Sequence, residues 1–238
     1  LMAEMLLTRV FSVTMWYHYA FMAISVALFG LTAGAIAVYA APRLFPLERT
    51  TTDLARATLL FAVTLLAAFL AHLRLPLVGG PAGTGPLGAA LTFVVVAVPF
   101  FMSGIVMALA LTRFPPQVSG LYAADLVGAA LGCLLLHGLL SVTDGVTGVF
   151  AIASLTALGA TAFAVDAGRR GLAIAGLVLA VLGGAFSAAH TVVVAEGQPF
   201  LRIERIRGRH EPPPRYERWN SFSRVTVMGD SEARTKPF

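Results

Sequence analysis

The ionisable side chains that fall inside apolar sequence are few, and any chemistry within a membrane would have to be theirs. Asp125 stands in YAADLVGAALGCLLLHGLLSV, residues 122–142, a stretch matching the ~20 apolar residues that cross a bilayer as a helix. One turn inside that helix, a carboxylate facing lipid would cost roughly 2.5–3.5 kcal/mol on insertion scales, so the position asks for protein or water. Arg9 is the candidate cation for a buried pair with it. His137 lies twelve residues beyond Asp125, which is about 120° around a helix, so the two share no face and a one-helix proton relay is disfavoured. Ala124, Gly128 and Gly132 recur every four residues and predict a stripe for close backbone packing, which would make 122–142 the packed centre of the molecule. The run Trp16, Tyr17, His18, Tyr19 reads first as an aromatic belt at headgroup level. Its sharper reading sets His18 beside Glu4 or Asp125 as a buried polar contact.

Other apparent motifs carry less. GGPAGTG, beginning at Gly79, resembles a phosphate loop but lacks the Lys-Ser/Thr after its second glycine and a soluble strand before it. The single cysteine, Cys133, provides neither a disulfide frame nor a metal-ligand spacing. The net charge of +5 is spread over loops and tail, and all 17 basic residues but Lys236 are arginine. That pattern, without a block of like charge, excludes a nucleic-acid arm.

The elements that would position these residues are membrane spans. With 58% hydrophobic residues, 12% charged residues and a mean hydropathy of +0.82, the chain lies outside the range of a soluble globule. The opening LMAEMLLTRVFSV has no basic n-region or cleavage site. Residues 1–7 are too few to cross and read as the last turns of a helix begun upstream. Complete spans are predicted at 13–39, 54–73, 87–111, 122–142, 146–165 and 172–195, with Pro99 predicted to kink the third. Short-loop arginines tie at six on each face, so charge does not set the orientation.

At residue 196 the composition changes. The tail 196–238 is charged and carries three consecutive prolines at 212–214 as a stiff spacer. The alternation in 222–228 predicts a strand, which needs a pairing partner or a domain that continues beyond residue 238. The fold class is therefore all-α, a polytopic bundle of about six spans (1–195), with a short soluble tail (196–238) that starts a β-containing domain.

Three segments in order, EMLLTRVFSVTMWYHYAFMAIS, LYAADLVGAALG and RYERWNSFSRVTV, resemble the membrane-embedded group of spermidine synthase-like proteins, in which a helical membrane region precedes an aminopropyltransferase-like domain. The resemblance covers nearly the whole chain. It matches Glu4 and Arg9 in the first segment, Asp125 in the second, and Trp219, Asn220, Ser223 and Arg224 in the third. It implies a Rossmann-type soluble domain that uses decarboxylated S-adenosylmethionine as cosubstrate. Neither the glycine-rich turn nor the ribose-binding acid of such a domain is present in these residues. The chain would then be the membrane region of such a protein, truncated at both ends, with no cofactor of its own, no catalytic residue, and its own C-terminal domain and the lipid bilayer as partners. A bacterial plasma membrane with a cytosolic tail is the matching location, and helix–helix oligomerisation is compatible with the small-residue stripe. The alternatives are a small transporter or channel subunit, and a purely structural anchor.

Overall fold

The computed structural model describes residues 1–15, 17–74, 85–207, 209–220 and 223–229, with the backbone alone for residues 17, 18, 20, 85–87 and 89. Helices α1 (Met2–Thr14), α2 (Tyr17–Ala40), α3 (Thr50–Arg74), α4 (Gly85–Arg113), α5 (Val118–Val142), α6 (Gly145–Asp166) and α7 (Arg170–Ala195) lead to a tail of four short strands. The six helices after α1 are long and apolar enough to cross a membrane, so this is an integral membrane protein. The connector GGPAGTG lies outside the described residues.

α1 departs from expectation. Rather than ending at residue 7, the helix continues through Arg9 to Thr14 and breaks at Met15, whose backbone is extended. Ala3, Leu6, Leu7, Val10, Phe11 and Thr14 are all buried. This helix is the core around which α2, α5 and α6 gather.

The close-packed small-residue contact is also elsewhere. Gly30 and Gly34 of α2 lie against α4, and a Cβ added at Gly30 would come within 2.7 Å of the Ala97 carbonyl oxygen. Cβ atoms added at Gly34 and Gly104 would collide with the carbonyl oxygens of Phe101 and Leu31. The sequence Gly30-x-x-x-Gly34 is the motif that allows such backbone approach in a bilayer. α6 and α7 follow the same logic: Ala153, Ala157 and Ala160 are buried on α6, and Gly176 of α7 sits against Thr161. α5, by contrast, buries only Leu136 and Leu140, and nothing lies within 4 Å of a Cβ added at Gly128. The stripe on α5 is open at Gly128, while at Gly132 an added Cβ would meet Met2 of α1 at 3.4 Å. An all-apolar helix has no polar face to say which side turns inward, and the glycines of α2 and α4, present on both partners, take the close contact instead.

α4 remains helical through Pro99. In the tail, β1 (Arg205–Ile206) pairs with β2 (Arg209–His210), and β3 (Tyr216–Trp219) pairs antiparallel with β4 (Arg224–Val227). The strand predicted at 222–228 thus finds its partner eight residues upstream, since Tyr216 faces Val227 and Trp219 faces Arg224.

Candidate functional site

Polar side chains converge at the tail-side end of the bundle, where α5, α6 and α7 meet the β3–β4 hairpin. The α5–α6 corner is tight: Thr143 is extended and Asp144 N-caps α6. Asp144 Oδ1 accepts from the Thr147 backbone N–H at 2.8 Å and from its hydroxyl at 2.6 Å, satisfying one of the orphan amides of a helix start. With its proton committed to Asp144, the Thr147 oxygen accepts from His190 Nδ1 on α7 at 2.8 Å. His190 Nε2 stands 3.2 Å from both the backbone nitrogen and the carbonyl oxygen of Leu201. A fully buried histidine therefore ties α7, α6 and the tail together, and Phe186 stacks on its ring with centroids 5.2 Å apart.

The hairpin is fastened beside it. Trp219, 4% exposed, lies over Gly145, the first residue of α6, where an added Cβ would meet the indole carbons at 3.1 Å. Its Nε1 donates to Glu217 Oε1 at 2.9 Å. Arg224 reaches both Glu217 oxygens, Nε to Oε1 at 2.8 Å and Nη2 to Oε2 at 3.0 Å, and its Nη1 donates to Glu211 at 2.6 Å. This planar fork on two carboxylates is the geometry that arginine provides and lysine does not. At the hairpin turn, Asn220 Oδ1 accepts from the Ser223 N–H at 2.6 Å.

Between hairpin and helix ends lies a cavity of about 610 Å³. Its inner walls are 141–144 and 194–197, and its outer wall is 214–219, with Arg202 and Ile203 between them. Burial pushes the Asp144 carboxyl up from its ordinary range, against the opposing pull of the Thr147 bonds. Burial works the same way on Glu217, but the hydrogen bonds from Arg224 and Trp219 outweigh it and hold that carboxyl below its ordinary 4.5.

These shifts have opposite signs in stability. A lowered carboxyl contributes stability that is present above its unfolded pKa and lost as pH falls through the folded value; a raised one loses its contribution as pH rises. Acidification below about pH 4.5 is thus expected to loosen the hairpin through Glu217, while Asp144 gains. In a Trp16→Phe background, where Trp219 is the remaining tryptophan of two, its emission should shift to the red on acidification. The shift should vanish in Glu217→Gln; an identical acid transition in that variant would contradict the assignment.

The residues singled out from sequence divide accordingly. Trp219, Asn220, Ser223 and Arg224 come together in one hairpin and its turn. Glu4 and Arg9 are half-buried on α1; the Glu4 carbonyl accepts from the Thr8 hydroxyl and the Arg9 carbonyl from Ser12. Asp125 corrects the expectation of a buried, partnered carboxylate: it is exposed on the open side of α5, as is His137. Among the described residues no ion pair joins Asp125, Arg9 or Glu4. The His18 side chain lies outside the described residues. The sequence reading does not single out Asp144, Thr147 and His190; the local signals that could have marked them are an Asp N-cap three residues before a threonine and a histidine within an apolar span. No group of three or more metal-ligating side chains occurs among the described residues. No family model, curated protein or solved structure matches the chain.

Proposed function

We propose that this chain is the membrane region of a spermidine synthase-like protein. It would hold, on its tail face, the beginning of a soluble domain that transfers an aminopropyl group from decarboxylated S-adenosylmethionine to a polyamine. The supporting observation is where the resembling segment sits. Of RYERWNSFSRVTV, Trp219 packs on the start of α6, Asn220 and Ser223 close the turn, and Arg224 locks the hairpin through two carboxylates. A segment that only linked two bodies would need neither a buried indole nor a forked ion pair. Such fastening suits a sheet that begins on a rigid membrane platform.

In this reading the four motif residues are structural, and the chemistry belongs to residues outside 1–238. The tail would face the cytosol of a bacterium, where the family's cosubstrate is made. Orienting donor and amine supplies much of the rate of such a transfer, so the membrane region acts by positioning the domain it carries. The test is to express in full the reading frame that contains residues 1–238, reconstitute it, and supply decarboxylated S-adenosylmethionine with putrescine. Release of methylthioadenosine above a protein-free control is expected. A folded product that releases none with putrescine or with spermidine would overturn the proposal. A transporter reading gains nothing from the structure, because Asp125 and His137 point away from the bundle instead of lining a path through it.

A further inference from the structure

The exposed residues of α3 are Arg56, Leu60, Val63, Ala67, Leu70 and Arg74, and the rest of the helix is buried or half-buried. At 3.6 residues per turn these positions share one narrow face. Apolar side chains fill the middle of that stripe and an arginine closes each end. The two arginines are 18 residues apart, about 27 Å along a helix, which is close to the ~30 Å of a bilayer's hydrocarbon. The stripe therefore faces lipid, with Arg56 and Arg74 at the two levels where phosphates lie.

The two levels are furnished differently. At one, Arg56 has Asp53 beside it, Nη1 to Oδ1 at 3.5 Å. At the other, on the tail side, the Arg74 carbonyl accepts from Arg205 Nη1 at 2.9 Å, so the β1–β2 hairpin is held at the depth of the α3 end. The Arg207 N–H of the same hairpin donates to the Thr14 carbonyl at 2.7 Å, which fixes it to the end of α1 as well. Arg205 and Arg209 are exposed. The carboxylates flanking them are engaged: Glu204 faces His210 at 3.6 Å and Glu211 accepts from Arg224 at 2.6 Å. Among the described residues, no carboxylate lies within ion-pair distance of Arg74, Arg205 or Arg209. Three guanidiniums without a counter-ion thus stand where a lipid-facing stripe reaches the headgroups.

We infer that the tail-side end of α3 and the β1–β2 hairpin bind an anionic phospholipid, its acyl chain on Val63 and Leu70 and its phosphate on Arg74 and Arg205. The guanidinium fork matches phosphate oxygens, and each basic group close to an anionic leaflet adds attraction that fades within a Debye length. A choline headgroup would bring a cation of its own towards Arg209, so the surface favours the anionic lipid. The inference is independent of the soluble domain that the tail carries.

The protein in detergent is incubated with equal amounts of phosphatidylglycerol and phosphatidylcholine of matched acyl chains, and native mass spectrometry counts the lipid retained. A preference for phosphatidylglycerol on the order of tenfold is expected. Arg74→Gln combined with Arg205→Gln should bring it to about twofold or less. Both positions are exposed; Arg209→Gln, which should weaken the preference in the same direction, serves if the double variant does not fold. Arg56→Gln, at the other end of the stripe, should leave the preference unchanged. Excess inorganic phosphate should not displace the lipid, since the acyl chain also holds it. Displacement by phosphate would assign the arginines to a free anion and overturn the inference. Equal retention of the two lipids, or a preference undiminished in the tail-side variants, would overturn it too.

Discussion

Gly104→Leu is expected to abolish the folded bundle, and Gly104→Ala to destabilise it severely, whereas Gly128→Leu on α5 leaves the melting temperature in detergent unchanged. The contrast follows from what a side chain would meet. At Gly104 the new Cβ collides with the carbonyl oxygen, carbonyl carbon and Cα of Leu31, all of them backbone atoms that no rotamer change can move. Overpacking a core typically costs 1–3 kcal/mol when side chains can yield; here α2 and α4 must separate, so a loss above about 3 kcal/mol is expected. Gly34→Leu should behave alike, because its Cβ collides with Phe101 and approaches Ile105 N at 2.9 Å. At Gly128 the space is open. Thermal unfolding of the three leucine variants, read by size-exclusion recovery after heating, settles the matter. Equal losses at Gly104 and Gly128, or none at Gly104, would show that α2 and α4 are not the tight pair.

That contrast also marks the boundary of what the chain reveals before it is folded. Span positions were legible because the apolar runs are long and punctuated. The second span, expected at 54–73, is Thr50–Arg74, and the sixth, expected at 172–195, is Arg170–Ala195. Which helix is central was not legible. Within a span every face is apolar, so the amphipathic signal that orients a soluble helix is absent. Small residues at four-residue spacing occur both at 30–34 and at 124–132, and what decides between them is whether a neighbour presents a matching gap. Gly104 does so for α2; nothing among the described residues does so for Gly128. α1 was missed for a related reason. The apolar run was expected to close at residue 7, yet buried positions continue to Thr14, and their partners, Leu136, Leu140, Val146 and Val149, come from helices more than a hundred residues away.

The candidate site divides in the same way. The hairpin was half legible: the alternation in 222–228 named one strand, while YERW, with two adjacent charged residues between aromatic ends, gave no comparable signal for the other. Arg224 and Glu217 meet only because the register sets Trp219 opposite Arg224 and Glu217 opposite Thr226. Their charge pairing is a property of the paired strands, invisible along either one. The Asp144–Thr147–His190 chain needs residues 43 positions apart, a distance over which local spacing carries no information.

The tail lock should fail locally and by a large factor when its indole is removed. Trp219→Ala deletes a side chain that is 4% exposed and packed on Gly145 and the α1 core. Truncating a buried aromatic typically costs 3–5 kcal/mol. Glu217 also loses the Trp219 donor, although Arg224 still holds both its oxygens. Because the hairpin touches the bundle only at its end, most of that cost should appear as local opening and little as unfolding of the helices. A loss of about 3 kcal/mol raises the open fraction on the order of a hundredfold, and tryptic cleavage at the exposed Arg215 and Arg218 should accelerate in proportion. Arg224→Met should act in the same direction. It strands Glu211 and Glu217, and breaking a well-buried pair costs 3–5 kcal/mol; with these carboxylates about a fifth exposed, up to about 3 kcal/mol is the expected loss. Trp219→Phe keeps most of the packing and forfeits only the Nε1 bond, so it should cleave at nearly the parent rate. Cleavage of Trp219→Ala at the parent rate would mean that the hairpin is not fastened by its indole. A bundle melting temperature that falls as steeply as the tail opens would mean that tail and membrane helices unfold as one unit.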